Sequence, residues 1–211
     1  ADAVLATNVA VISDEIYEDL TYGDAQPTCF ATLRPGLAER TVTISGVSKS
    51  YAMTGWRIGW SIAPLAVSKF IGDLQSQETS NPCSVSQWAA VEALNGPQDE
   101  VVSMRREFEI RRNHVLARVA ELPGVSCVPP AGAFYAFLNV SSYFGRVFGG
   151  QKVTNSSEFC LSALAQAHVA LVMGSAFGAE GFARMSFATD LDTIERGFEA
   201  LGKFLQSSSP G

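Results

Sequence analysis

The sequence predicts an α/β protein, in which a sheet with helices is followed by a smaller α+β part. Three observations support this fold class. Short apolar, β-rich runs alternate with helical patterns in the first hundred residues or so. A long charged stretch with helical periodicity follows, and after it short strands and helices are separated by Gly and Pro turns. Of the 211 residues, 47% are hydrophobic, which is enough for one large or two small cores.

Three strands and two helices are predicted in the first part. The strands are marked by apolar and β-branched residues, at 8–13, 41–45 and 56–63. Helices are expected at about 65–77 and 85–94. The second of them is expected to end at residue 94 because Asn95-Gly96-Pro97 follows it.

The second part begins with a charged helix at about 99–121 that is expected to link two domains, which we place at residues 1–96 and 97–211. Asp190 is predicted to be the N-cap of the final helix, and the tail 207–211 to be disordered. The remaining predicted elements are strands at 125–128, 133–138, 169–173 and 182–188 and a helix at 156–166.

Charge and composition exclude several classes of partner. The net charge of −6 and the pI near 4.9, without a basic stripe, argue against nucleic acid and anionic membranes. No run reaches the roughly 18 apolar residues of a membrane span, and the N-terminus lacks a signal segment, so the cytoplasm is the expected location. The four cysteines are widely spaced, which predicts buried reduced thiols and no metal site.

The segment Ser48-Lys49-Ser50-Tyr51-Ala52-Met53-Thr54-Gly55-Trp56-Arg57 carries charge only at Lys49 and Arg57. It follows the predicted strand 41–45, and residues at strand ends of α/β sheets face the crevice where ligands bind. A lysine partly withdrawn from water there is a usable amine nucleophile, and the planar fork of an arginine suits a phosphate or carboxylate. A snorkelling lysine and a structural ion pair are the alternative, which the local sequence alone favours.

The residues from Gly46 to Gly59, Gly-Val-Ser-Lys-Ser-Tyr-Ala-Met-Thr-Gly-Trp-Arg-Ile-Gly, resemble the pyridoxal-phosphate attachment signature of class I/II aminotransferases. The resemblance implies that Lys49 forms a Schiff base with the cofactor and that Arg57 binds its phosphate. Ser48 would donate its hydroxyl to the same phosphate. Gly46 departs from the pattern, because some subfamilies have a phosphate-binding serine at that position.

Upstream, Asp14-Glu15-Ile16-Tyr17 follows an apolar strand and resembles the Asp-Glu-x-Tyr element of the same family. By this resemblance, Asp14 faces the pyridine nitrogen and keeps it protonated, so that the ring withdraws electrons. Tyr17 would place its hydroxyl near the phenolate oxygen of the cofactor. A turn aspartate and a core aromatic are the alternative.

Downstream, the predicted strand 182–188 contains one arginine, Arg184, in an apolar setting. A buried arginine needs an anionic partner, and none is adjacent within the strand. Arg184 resembles the family arginine that binds the α-carboxylate of the substrate. An ion pair with a remote carboxylate, such as Glu180 or Glu195, is the alternative.

Together these resemblances imply a fold-type-I, aspartate-aminotransferase-like enzyme that moves an amino group from an L-amino acid to a 2-oxo acid through the Lys49 Schiff base, with aspartate as one candidate donor. They also imply a homodimer, with the loop 77–82 near the neighbouring subunit. Two alternatives stay open. One is a related pyridoxal-phosphate lyase or synthase, and the other is a noncatalytic fragment or degenerate paralogue.

The resemblance covers the chain throughout but matches only the C-terminal half of a complete family member. The sequence starts at Ala1 without a methionine. We therefore expect the remainder of a mainly parallel sheet, an incomplete large pyridoxal-phosphate-binding domain, followed by the small C-terminal domain. An isolated chain of this extent is expected to turn over weakly or not at all.

Overall fold

The computed structural model describes all 211 residues, which form two compact units, Ala1–Arg105 and Arg106–Gly211. The first unit contains α1 (Asp2–Leu5), β1 (Val11–Asp14), β2 (Thr41–Gly46), β3 (Gly59–Ile62), α2 (Leu65–Glu78) and α3 (Ser84–Asn95). Helix α4 (Asp99–Ala120) begins in the first unit and ends in the second. The second unit continues with β4 (Ser126–Cys127), β5 (Tyr135–Asn139), β6 (Val147–Phe148), β7 (Gln151–Lys152), α5 (Ser156–Ala167), β8 (Val172–Met173), β9 (Phe182–Ser186) and α6 (Leu191–Gln206).

The sheet of the first unit has the order β1-β2-β3, and it is mixed. Strands β1 and β2 are parallel, as expected, whereas β3 runs antiparallel to β2. A parallel return needs a crossover, usually an α-helix, and the connection from β2 to β3 contains none. The expected mainly parallel sheet is therefore found only in the first of these two pairings.

Two strands of the first unit begin three residues later than predicted, as does β8 in the second unit, which was expected at 169–173. The strand expected at 56–63 begins at Gly59, because Thr54–Trp56 form a 3-10 turn and Arg57 has a left-handed backbone. The strand expected at 8–13 spans Val11–Asp14, so that Asp14 is its last residue. The helices α2, α3, α4 and α5 lie within two residues of their predicted positions.

The second unit has an antiparallel sheet of order β4-β5-β9-β8, and α5 packs against both α6 and this sheet. Aromatic rings fill its core, where Phe148 stacks on Phe204 with ring centroids 4.3 Å apart and Phe159 packs on both. Asp190 caps α6 as predicted, since its carboxylate accepts a hydrogen bond from Thr193 N at 2.8 Å.

The predicted disorder of the tail is wrong. Ser208 is buried, and Arg146 donates hydrogen bonds to its hydroxyl at 2.8 Å and to its carbonyl at 2.9 Å. Ser209 forms a bridge with Val147, next to this contact. The serine-rich composition suggested a solvated end, but these polar groups are used within the fold.

The prediction of four buried thiols is also wrong. None of the cysteines forms a disulfide, but only Cys160 is buried and Cys83 is exposed.

Helices α2 and α3 expose several large apolar side chains, among them Leu65, Phe70, Leu74, Val85 and Trp88. None of the helices combines the length and the apolar character needed to cross a membrane.

Candidate active site

One edge of the first unit's sheet brings together most of the predicted site residues. Because β1 and β2 are parallel, their C-terminal ends share this edge, and Asp14 lies opposite Ile44 in the register. Because β3 is antiparallel, its first residue also lies there. Lys49 follows the end of β2 by three residues, and Arg57 precedes β3 by two. The chain therefore places a carboxylate, an amine and a guanidinium at the same edge.

Tyr17 lies in the turn after β1, which is bound to the end of β2 by two contacts. The Glu15 N–H donates to the Ile44 carbonyl at 2.8 Å, and the Ser45 hydroxyl donates to the Glu18 carboxylate at 2.8 Å. The Lys49 ammonium lies 5.9 Å from the centroid of the Tyr17 ring. The turn thus holds a phenol beside the lysine.

The loop that carries Lys49 rests on a small apolar core. Val47 is fully buried against Ile58 and Ala90, and Tyr51 and Met53 pack on the same cluster. Backbone hydrogen bonds close the loop, from the Ala52 N–H to the Lys49 carbonyl and from the Met53 N–H to the Val47 carbonyl. Ser48 and Lys49 are half-buried on this support. These apolar contacts and backbone hydrogen bonds restrict the position of the loop and of its lysine.

Asp14 is exposed at the sheet edge, and its carboxylate accepts a hydrogen bond from Ile16 N at 3.2 Å. This bond is the one that a turn aspartate makes, as the alternative interpretation requires. A carboxylate has about four acceptor positions, so the single bond leaves capacity for a ligand group.

Arg57 has a left-handed backbone, with φ of 57° and ψ of 45°. Its guanidinium donates one hydrogen bond to the Thr54 carbonyl at 2.9 Å, and the residue is otherwise exposed. Ala52 in the same loop also has a positive φ, of 53°. Non-glycine residues in this conformation carry a backbone cost and cluster at functional sites.

Arg184 lies on β9 in the second unit, half-buried. The carbon at the centre of its guanidinium is 4.3 Å from the ring centroid of Tyr135 and 4.6 Å from that of Phe177. No carboxylate forms an ion pair with it. Its charge is therefore balanced only by aromatic faces within the chain.

The alternative partners of Arg184 are engaged elsewhere. Glu180 accepts hydrogen bonds from the N–H groups of Ser156 and Gly181, and the Ser156 backbone bond holds the pKa of Glu180 below its usual range. Glu195 binds His114 at 2.9 Å and Arg118 at 3.3 Å. The interpretation of Arg184 as one half of a structural ion pair with either residue is therefore wrong.

A family model described as aminotransferase class I and II matches residues 1–201 of the chain. The chain belongs to this family. A curated relative, the aspartate aminotransferase of Geobacillus stearothermophilus, is 44% identical over 206 residues, which cover 98% of this chain and 51% of the relative. The aspartate/prephenate aminotransferase of Cereibacter sphaeroides is 44% identical over 182 residues, covering 86% and 46%.

Solved structures of aminotransferases share the fold. The aspartate aminotransferase from Rhizobium meliloti superposes with a TM-score of 0.93 at 39% identity, covering 98% of this chain and 52% of that one. The aromatic aminotransferase from Pyrococcus horikoshii gives a TM-score of 0.88 at 37% identity, covering 97% and 53%. The neighbours are fold-type-I aminotransferases, so the α/β fold class is confirmed. The chain spans about half the length of the curated relatives that it matches.

Class I and II aminotransferases depend on pyridoxal 5'-phosphate, and the groups at the sheet edge suit this cofactor. The cofactor has an aldehyde that reacts with an amine, a pyridine nitrogen that pairs with a carboxylate and a phosphate that pairs with a guanidinium. The sheet edge has one group of each kind, in Lys49, Asp14 and Arg57. Ser48 adds a hydroxyl beside Lys49. Arg184 lies in the second unit.

Gly46 departs from the family pattern for a steric reason. It pairs with Gly59 across β2 and β3. A Cβ atom at Gly46 would lie 2.8 Å from the Ile58 carbonyl oxygen and 2.9 Å from the Gly59 Cα. The close approach of these two strands leaves no room for a serine side chain at position 46.

Four polar contacts that hold the site were missed by sequence reasoning. Glu18 binds Ser45, and Glu15 binds both Ser13 and the Phe30 N–H. The Tyr51 hydroxyl donates to the Gln98 side chain at 3.1 Å, which connects the lysine loop to the start of α4. The available signal was the pair of glutamates beside Tyr17, directly after a predicted strand.

The left-handed backbone of Arg57 predicts a measurable stability difference between two variants. Arg57→Gly and Arg57→Ala both remove the guanidinium, but only glycine adopts this conformation without strain. We expect the glycine variant to be more stable than the alanine variant by about 1 kcal/mol. Urea unfolding of both proteins measures the difference, and a glycine variant that is less stable would contradict the left-handed geometry.

Proposed function

We propose that this protein is a pyridoxal-phosphate-dependent aminotransferase in which Lys49 carries the cofactor. The observation that carries the proposal is the convergence of Asp14, Tyr17 and Lys49 at one sheet edge, with the Lys49 ammonium 5.9 Å from the Tyr17 ring centroid. Membership of the family supports it independently. The large and small domains, 1–96 and 97–211, form part of the same proposal.

Pyridoxal phosphate, when bound, supplies an aldehyde that receives the amino group and a ring that withdraws electrons from the α-carbon of the amino acid. In the proposal, the Asp14 carboxylate holds a proton on the ring nitrogen. The Tyr17 hydroxyl donates to the ring oxygen, and Arg57 with Ser48 binds the phosphate. The Lys49 amine would take the proton from the substrate α-carbon as a general base and deliver it to the former aldehyde carbon of the cofactor as a general acid.

Arg184 is proposed to bind the substrate α-carboxylate. It is a half-buried guanidinium without a carboxylate partner in the chain, and its fork matches two carboxylate oxygens. The substrates would be an L-amino acid and a 2-oxo acid. Aspartate is the first donor to test, because relatives at 41–44% identity are named aspartate aminotransferases.

The chain spans about half the length of these relatives, so the activity of the whole protein is part of the proposal. Weak turnover of the isolated chain, a homodimer and a cytoplasmic location stay predictions. The exposed apolar side chains of α2 and α3 support the expectation that further protein packs against these two helices in the whole protein.

Borohydride reduction tests the attachment residue directly. With pyridoxal phosphate added, the native chain should develop a visible absorbance band, and reduction should fix the cofactor on the peptide that contains Lys49. Lys49→Ala should lose both signals, because it removes the amine that lies 5.9 Å from the Tyr17 ring centroid. Lys69→Ala removes an exposed lysine of α2 and serves as the control, which should label normally. Fixed cofactor elsewhere in Lys49→Ala would contradict the proposal.

Isotope transfer distinguishes the reaction types. With 15N-labelled L-aspartate, 2-oxoglutarate and pyridoxal phosphate, an aminotransferase moves the label into glutamate, and even slow transfer accumulates product. A lyase releases labelled ammonia instead, whereas a noncatalytic chain releases neither. We expect labelled glutamate from the native chain and none from Lys49→Ala, measured by mass spectrometry.

A further inference from the structure

We propose that Tyr135 and Phe177 form an aromatic cradle that positions the Arg184 guanidinium for a carboxylate ligand. The two rings are positioning residues, since they act on the ligand through Arg184. The inference rests on the proposed carboxylate-binding role of Arg184, and it identifies what holds the arginine before the substrate arrives.

The two rings come from elements on opposite sides of the strand that carries Arg184. In the sheet order β4-β5-β9-β8, β9 lies between β5, which carries Tyr135, and β8, which leads into the 3-10 turn that ends at Phe177. The guanidinium carbon lies 4.3 Å from the Tyr135 centroid and 4.6 Å from the Phe177 centroid. Both distances are well inside the roughly 6 Å limit for cation–π contact.

Phe177 is itself held by a second aromatic layer. Its ring packs edge-on against Phe137, with centroids 5.9 Å apart and planes at 90°. Phe137 stacks on Phe182 at 4.9 Å, and it is the cross-strand partner of Arg184 on β5. The position of the Phe177 ring is therefore set by the sheet, although the residue lies in a turn.

Burial does not account for the ring at position 177. Phe177 is 48% exposed, so about half of its surface gains nothing from the apolar core. Its exposed position next to an arginine without a carboxylate partner fits a role in orienting that arginine. An unsupported arginine side chain would lose rotamer freedom on binding a ligand, whereas one already held between rings loses less.

The cradle also determines how a ligand approaches. The N–H groups of a guanidinium lie in its plane. In the proposed cradle, the two rings lie against the faces of the guanidinium and leave its N–H groups open to a ligand. A carboxylate that binds through both oxygens in the guanidinium plane fits these constraints.

Nuclear magnetic resonance of the complete chain tests the cradle without the cofactor. The Arg184 Nε–Hε signal, assigned by its loss in Arg184→Lys, should be shifted upfield by the two rings. Succinate, an unreactive dicarboxylate, is titrated while this signal is followed. Phe177→Leu should move the signal toward the position of an exposed arginine and weaken succinate binding about two- to fivefold.

Two further variants control the comparison. Phe177→Tyr keeps a ring face and should restore both the shift and the affinity, whereas a general packing effect would not require an aromatic ring. Phe70→Leu removes an exposed ring of α2 from the first unit and should change neither quantity.

The outcomes separate the two proposals. If succinate moves the Arg184 signal equally in the native chain and in Phe177→Leu, the cradle is overturned while carboxylate binding by Arg184 stands. If succinate moves the signal in neither, Arg184 does not bind carboxylates, and the positioning role fails with it. A native Arg184 signal at the position of an exposed arginine also overturns the cradle.

Discussion

The parallel pairing of β1 with β2 is the constraint on which the candidate site depends. Its register sets Asp14 opposite Ile44, so that the last residue of one strand and the lysine loop after the other share an edge. The Glu18–Ser45 hydrogen bond then holds the turn that carries Tyr17 against the same edge. A shift of one residue would send the strand side chains to the opposite face and separate these groups.

The two units hold their charged groups in different ways. In the first unit, an apolar core under Val47 supports the lysine loop, and the left-handed residues Ala52 and Arg57 shape it. In the second, Glu180 and Glu195 bind backbone and basic groups, and Arg184 lies against aromatic rings. In the first unit the lysine loop is held by backbone and apolar contacts, and in the second Arg184 lies against aromatic faces without a carboxylate ion pair.

Local patterns predicted the parts of this chain that depend on local physics. Helix α2 and the Asp190 cap follow from periodicity and capping, and the Lys49 segment was found from its residues. The antiparallel direction of β3 and the burial of Ser208 depend on contacts far apart in sequence, which no window of residues contains. The aromatic faces around Arg184 were missed for the same reason, because Tyr135 and Phe177 lie 42 residues apart in the sequence.

The most direct test of the central claim is a crystal structure of this chain grown with pyridoxal phosphate. Our account predicts electron density continuous between Lys49 Nζ and the cofactor, with an Asp14 oxygen at hydrogen-bond distance from the pyridine nitrogen and the Tyr17 hydroxyl at the ring oxygen. Cofactor bound with its ring nitrogen away from Asp14, or joined to a lysine other than Lys49, would contradict it.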